Sequence, residues 1–120
     1  MGNNVRIGIR ISNFFNIDFD FTATEDFTIS TWLKSDSTTN PSENEFIIRK
    51  LSSSAGWAIY VATTTGQIAF ATDDDTTFSP DDAAVSTGDF YDATWHHVVG
   101  VKTGTSSLEL FVDGVSRGKD

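Results

Sequence analysis

The stretch Thr94-Trp95-His96-His97-Val98-Val99-Gly100-Val101, followed by Leu108-Glu109-Leu110-Phe111-Val112-Asp113-Gly114, leaves this chain few ways to fold. Trp95, His97, Val99 and Val101 alternate with His96, Val98, Gly100 and Lys102, the period of a strand whose two faces differ. Thr103-Gly104-Thr105-Ser106-Ser107 is a polar, glycine-containing connection. Leu108, Leu110 and Val112 then alternate with Glu109 and Phe111. Asp113-Gly114 suits a two-residue hairpin turn, because both central positions of that turn need positive φ. The unit reads as a β-hairpin, and the turn after it demands a return strand.

The same period runs through much of the chain. Val5, Ile7, Ile9 and Ile11 share one parity with Phe15, Ile17, Phe19 and Phe21, opposite Arg6, Arg10, Asn16, Asp18 and Asp20. Two strands, or one long bent strand, each with one buried face, account for this. Phe27 to Lys34 is a strand with Phe27, Ile29, Thr31 and Leu33 against Thr28, Ser30, Trp32 and Lys34. Ser35 to Asn44 is a loop by composition. Glu45 to Leu51 is a strand with Phe46 and Ile48 facing opposite Ile47 and Arg49. Trp57, Ile59 and Val61 alternate with Ala58, Tyr60 and Ala62, and Gln67 to Ala71 turns Ile68 and Phe70 inward. Residues 72–93 show no period and read as one long loop anchored by Phe78, Phe90 and Tyr91; loops of this length are often functional. Beyond Asp113-Gly114, Val115 to Arg117 supply only a stub of a return strand.

These residues also carry a resemblance. Trp95-His96-His97-Val98, followed about a dozen residues later by Phe111-Val112-Asp113-Gly114, resembles the laminin-G-like, or concanavalin A-like, jelly-roll superfamily, and pentraxins share a similar Trp-His-His-Val strand. Phe27 to Lys34, Ile47-Ile48-Arg49-Lys50, Gly56-Trp57 and Gly66-Gln67-Ile68-Ala69-Phe70 agree in order. The resemblance, which covers roughly residues 25–115, implies an all-β fold, an antiparallel β-sandwich of jelly-roll type, and the length of 120 residues is that of a single domain, residues 1–120. A complete laminin-G-like domain continues for several more strands. The chain is therefore expected either to lack its C-terminal strands or to be completed by a partner through strand addition.

Charge narrows the partners. The net charge is −9, with no Lys or Arg between Leu51 and Val101, while Asp73, Asp74, Asp75, Asp81, Asp82, Asp89 and Asp92 cluster there. That pattern argues against a phosphate backbone or an anionic membrane surface. No apolar stretch approaches the ~20 residues of a membrane-spanning helix, so no membrane insertion is expected. With Cys 0, disulfides and thiolate chemistry are excluded.

Glycosidase chemistry needs two carboxyl groups roughly 5–9 Å apart across a cleft. The resemblance implies that related glucanases hold them on one strand as Glu-x-Asp-x-x-Glu or Glu-x-Asp-x-Glu. Here Glu25, Glu43, Glu45 and Glu109 begin no such pattern, and Glu43-Asn44-Glu45 sits at a loop–strand junction. The chain is expected not to be an enzyme. His96 and His97, adjacent on a strand, point to opposite faces and cannot chelate one metal together; they read as structural. Calcium, which takes six to eight oxygens, is the cofactor to consider, with Asp73, Asp74, Asp75, Asp81 and Asp82 as ligands, though the same residues also make a solvated acidic loop. The pentraxin-like calcium turn would match Ser52 to Gly56, which holds no carboxylate.

Sugar binding without a metal needs an exposed aromatic beside polar groups, and the candidates are Trp57, Tyr60, Phe78 and Tyr91. Trp32, on the more polar face of its strand, could serve as a ligand platform, but the resemblance implies that it packs under a neighbouring loop. The expected function is a non-catalytic recognition or adhesion module for a glycan or protein ligand, most simply a carbohydrate. It would belong to an extracellular, cell-surface or virion protein. The alternative is a structural subunit or fragment of a homo-oligomer or larger assembly, such as a phage virion or tail-fibre component, completed by β contacts between chains.

Overall fold

A computed structural model describes residues 5–8, 21, 24–51, 56–73 and 82–120. Among them lie nine strands: β1 Val5–Gly8, β2 Phe27–Ser35, β3 Glu45–Leu51, β4 Gly56–Val61, β5 Ile68–Asp73, β6 Asp82–Val85, β7 His96–Thr103, β8 Ser107–Val112 and β9 Val115–Lys119. All pairings are antiparallel. They form a five-stranded sheet in the order β1-β2-β7-β8-β9 and a four-stranded sheet in the order β3-β4-β5-β6. This is the expected all-β sandwich. The expected alternation over residues 9–20, and Phe78, lie outside the described residues.

The sheets meet through one apolar layer. Phe27, Leu33, Val98, Leu108, Leu110 and Val112 from the five-stranded sheet face Ile47, Trp57, Ile59, Val61, Ile68, Phe70 and Ala84 from the other. At one end, Phe21 stacks on Phe27 with centroids 4.1 Å apart, and Trp57 and Phe70 pack against Phe27 at 6.1 and 6.0 Å. Gly100 has a specific steric role. A Cβ there would lie 2.6 Å from the ring of Phe70, so the absent side chain is the space that ring occupies.

Along one side the sheets are joined by their edges. The Thr87 amide donates to the Arg117 carbonyl at 2.7 Å, and the Ala83 amide donates to the Asp120 carboxylate at 2.7 Å. Gly118 permits the approach, since a Cβ there would sit 2.3 Å from the Val85 carbonyl oxygen. The turn after β8 has the expected geometry, with φ of 53° at Asp113 and 77° at Gly114.

Three expectations need correction. A register shift between Phe46 and Ile48 in β3 turns Ile47 and Ile48 both toward the core. The bulge therefore puts Phe46 and Arg49 on the same outer face, where the guanidinium sits 4.7 Å from the Phe46 ring centroid. One inserted residue reverses the parity of everything after it. Second, the segment read as a single long loop contains β6, paired to β5 through Ala69↔Val85 and Phe70↔Ala84. Asp-Ala-Ala-Val is too short and too small in its side chains to show a periodic signal. Third, β9 is five residues long rather than a stub, with its own register shift opposite Leu110/Phe111.

Candidate functional site

The face of β7 that looks more apolar in sequence is the one that faces out. His96, Val98, Gly100 and Lys102 are buried, whereas His97, Val99 and Val101 are partly exposed. The two ends of the buried row are polar and satisfied locally. Lys102 Nζ donates to the carbonyls of Glu25 and Gly104, and His96 is held by carboxylates. The outward row thus places aromatic and branched side chains on an open sheet face, where burial does not account for them.

That face carries two half-exposed tryptophans. Trp32 pairs across strands with His97, and extending the Leu33↔His96 register by one residue sets Trp95 opposite Lys34. Trp32 and Trp95 are each 50% exposed. The expectation that Trp32 packs under a loop is therefore corrected. Its register partner on β1 is Gly8, which has no side chain to cover it. On the other side the His97 ring lies 4.9 Å away at an interplanar angle of 35°. His97 Nε2 is 2.8 Å from Ser30 Oγ, which fixes the imidazole and hence the tilt of Trp32. Val99, paired with both Ser30 and Phe111, continues the face across the sheet.

Directly beneath, His96 sits between two carboxylates. Its Nδ1 is 2.7 Å from Asp113 Oδ2 and its Nε2 is 3.0 Å from Asp92 Oδ1. The other Asp113 oxygen accepts the His97 amide at 2.9 Å. Asp92 Oδ1 also accepts the Thr94 amide at 2.9 Å and the Thr94 hydroxyl at 2.7 Å. The edge of Phe90 meets the imidazole at a centroid distance of 5.2 Å. His96 is 7% exposed. Burial alone would lower its pKa, but the hydrogen bonds to Asp113 and Asp92 outweigh burial and hold it above the ordinary histidine value. Burial likewise opposes the ionised forms of Asp92 and Asp113, yet hydrogen bonds from Thr94 and His96, and from His96 and the His97 amide, leave both carboxyls below the usual range.

The residues singled out from sequence do not converge on this face. Trp57 is 5% exposed inside the aromatic cluster, and Tyr91 is 2% exposed with its hydroxyl donating to the Glu45 carboxylate at 3.1 Å. Neither presents a ring face to a ligand. Tyr60 is half-buried on the outside of the four-stranded sheet, its ring 5.5 Å from Phe46. Asp82 pairs with Thr72 and Asp73 with Gly56, so Asp73 and Asp82 point to opposite faces of that sheet and cannot meet at one ion in regular geometry. Asp74, Asp75 and Asp81 lie outside the described residues. Among the described residues no group of three or more His, Asp or Glu could hold a metal ion.

A legible signal for the outward tryptophans did exist. Pairing Thr103 with Ser107 sets Gly100 opposite Leu110 and Val98 opposite Val112. Directly opposed residues share a face, so the buried Leu108-Leu110-Val112 row pulls Val98 and Gly100 inward and sends Trp95 and His97 out. The carboxylate clasp had no such signal, because Asp92, His96 and Asp113 meet only through two loops.

Neither a curated protein nor a solved structure matches the chain. A family model described as the concanavalin A-like lectin/glucanase superfamily matches residues 9–120. Domains of this lectin-like type are generally non-catalytic, bind carbohydrate or protein ligands and are typically extracellular. Among the described residues no helix is long and apolar enough to cross a membrane. With two antiparallel sheets and residues 9–120 matched, the chain belongs to the concanavalin A-like lectin/glucanase superfamily.

Proposed function

We propose that the domain is a non-catalytic recognition module that binds a neutral saccharide on the outer face of the five-stranded sheet, as part of an extracellular, cell-surface or virion-surface protein. The observation that carries this reading is the pair of half-exposed tryptophans, Trp32 on the outer face of β2 and Trp95 at the position just before β7 that the register sets beside Lys34. The axial C–H face of a pyranose is apolar, and its slightly positive hydrogens meet the negative face of an indole favourably. Ser30, His97 and Lys34 lie on the same face and supply hydrogen-bonding groups for sugar hydroxyls. Because Trp32 is already set by His97 and Ser30, little conformational entropy is lost on binding. The net charge of −9 disfavours polyanionic ligands at long range.

The test is a glycan array carrying neutral and acidic saccharides, repeated with Trp32→Ala and Trp95→Ala. Binding to neutral glycans that both variants lose supports the reading. Binding that survives both substitutions overturns it.

A second reading draws on Val99, Val101 and Phe111, which prolong the tryptophan pair into a partly exposed apolar strip. Such a strip also suits the surface of a neighbouring protein in an assembly. Light scattering separates the two. A monomer that binds glycan supports the first reading. An array-negative oligomer that dissociates on Val99→Lys supports the second.

A further inference from the structure

We infer that His96 is the positioning residue of the tryptophan face, and that it holds Trp95 in place only while both of its ring nitrogens carry protons. The inference about the clasp rests on its geometry and does not need the saccharide reading; its consequence for binding rests on that reading.

A neutral imidazole has one N–H and one lone pair. Here both nitrogens face a carboxylate oxygen, at 2.7 and 3.0 Å. Only the doubly protonated ring donates to both. In the neutral state one nitrogen would turn a lone pair toward an anion, and the two carboxylates are not equally able to respond. Asp113 is fixed from a second direction by the His97 amide, and it makes the shorter contact. Asp92 spends a single oxygen on the imidazole and on Thr94, and its side chain is half-exposed. Losing the proton therefore frees Asp92 from the ring, leaving it on the Thr94 amide alone, while Asp113 stays bound. The Thr94 hydroxyl, 3.1 Å from Nε2, then donates to the ring instead of to Asp92.

The consequence falls on Trp95, which lies between Thr94 and His96 in sequence and has no strand pairing of its own. Its neighbour Ala93 has φ of 62°, and the Ala93 amide is held by Ser35 Oγ at 2.9 Å. A left-handed alanine is costly unless its surroundings impose it, and the Asp92 clasp is one of those surroundings. Among the described residues, Asp92 and Asp113 are the charged groups that shift His96. From β2 the register partner is Leu33, from the loop the ring meets Phe90, and Arg117 of β9 lies over Phe90 with its guanidinium 5.6 Å from that ring's centroid. His97, the remaining titratable neighbour, acts on Asp113.

The sign is fixed by the direction of the shift. With the folded value of His96 raised, the clasp is complete below the ordinary histidine value of about 6.5. It is lost as pH rises through the raised value.

The test uses the whole chain without ligand. Two-bond proton–nitrogen NMR of the imidazoles should show His96 with both nitrogens protonated at pH 6, titrating with a midpoint above that of free histidine. The fluorescence that Trp95 contributes, isolated by difference from Trp95→Phe, should change at the same midpoint. The milder Asp92→Asn variant, which replaces a half-exposed residue, should lower the midpoint and abolish the coupled fluorescence change. His96→Gln should leave Trp95 fluorescence flat with pH. A neutral, single-tautomer His96 at pH 6, or Trp95 fluorescence that ignores the His96 titration, overturns the inference. Affinity electrophoresis in galactomannan and in xylan, at pH 6 and pH 8.5, tests the consequence for binding. Retardation on the order of tenfold weaker at the higher pH supports the coupling, and equal retardation at both pH values overturns it. If no variant is retarded at any pH while the NMR and fluorescence titrations agree, the saccharide reading fails and the clasp stands.

Discussion

The two faces of β7 answer to different demands. On the inside, His96, Val98, Gly100 and Lys102 are buried, and every one is either small, branched or satisfied by a local polar partner. On the outside, Trp95 is half-exposed, His97 is braced by Ser30, and Val99 and Val101 are partly open. A single strand therefore carries a tightly constrained face whose composition looks unpromising for a core, and an open face whose composition looks like one. What decides the assignment is the register with the buried row of β8 together with the ring of Phe70 across the sandwich, which occupies the hollow at Gly100. Hydrophobicity of a face is no guide to its direction when steric fit to the opposite sheet is this close.

If that contrast is right, substitutions on the two faces should separate cleanly into stability effects and binding effects. Phe70→Ala, which empties the hollow's occupant, should cost about 3–5 kcal/mol in urea unfolding. Gly100→Ala should cost about 1–3 kcal/mol through the clash with that ring. Combining Gly100→Ala with Phe70→Leu should cost less than the sum, since the two residues contend for one volume. A fully additive double mutant would show that Gly100 is not the seat of the ring.

Outward changes should do the reverse. Trp32→Ala should weaken galactomannan or xylan retardation by roughly 1–3 kcal/mol, the range seen when an aromatic stacking platform is removed. Its urea midpoint should move far less than that of Phe70→Ala. A collapse of stability instead would place Trp32 in the fold rather than in the site. Ser30→Ala removes the brace under His97 and should weaken binding by about 0.5–1.5 kcal/mol while leaving the core intact.

The smallest effect is a drift of stability with pH. Asp92 and Asp113 have lowered pKa values, so their contribution is present above the ordinary carboxylate range and fades as pH falls through those lowered values. His96 contributes below its ordinary value and fades as pH rises through its raised one. The stability difference between wild type and Asp92→Asn should therefore be greatest between these limits and shrink on both sides. A flat difference from pH 3 to pH 9 would show that the clasp adds nothing to folding.

Much of the sandwich was legible because alternation and turn chemistry act locally. The hairpin of β7 and β8, the Asp113-Gly114 turn that follows it and the buried set on β2 follow from period and from φ preferences alone. The bulge in β3 was not legible, since nothing in Glu-Phe-Ile-Ile-Arg marks where one extra residue enters the ladder. β6 was hidden by its alanines. The site was harder to read for a different reason. Trp57 and Tyr91 carry the right side chains for sugar stacking, but large aromatic rings are also what fills a core, and only burial tells the uses apart. Trp32 was placed on its polar face by parity, and its exposure then depended on Gly8 in a strand that pairs beside it.

Asp113 has a bearing on when the site can exist during synthesis. Its two oxygens tie the β8–β9 turn to the ring of His96 and to the His97 amide, while Trp32 was made many residues earlier. A ribosome-bound chain that has emerged only as far as β7 holds both tryptophans and His96, yet lacks Asp113, one of the two carboxylates that grip that ring. Local segments can order as they emerge, but this contact waits for the late hairpin to close. The carboxylate grip on His96 is thus completed only after β8 and the turn that follows it have emerged, so the histidine and its second carboxylate meet late in synthesis.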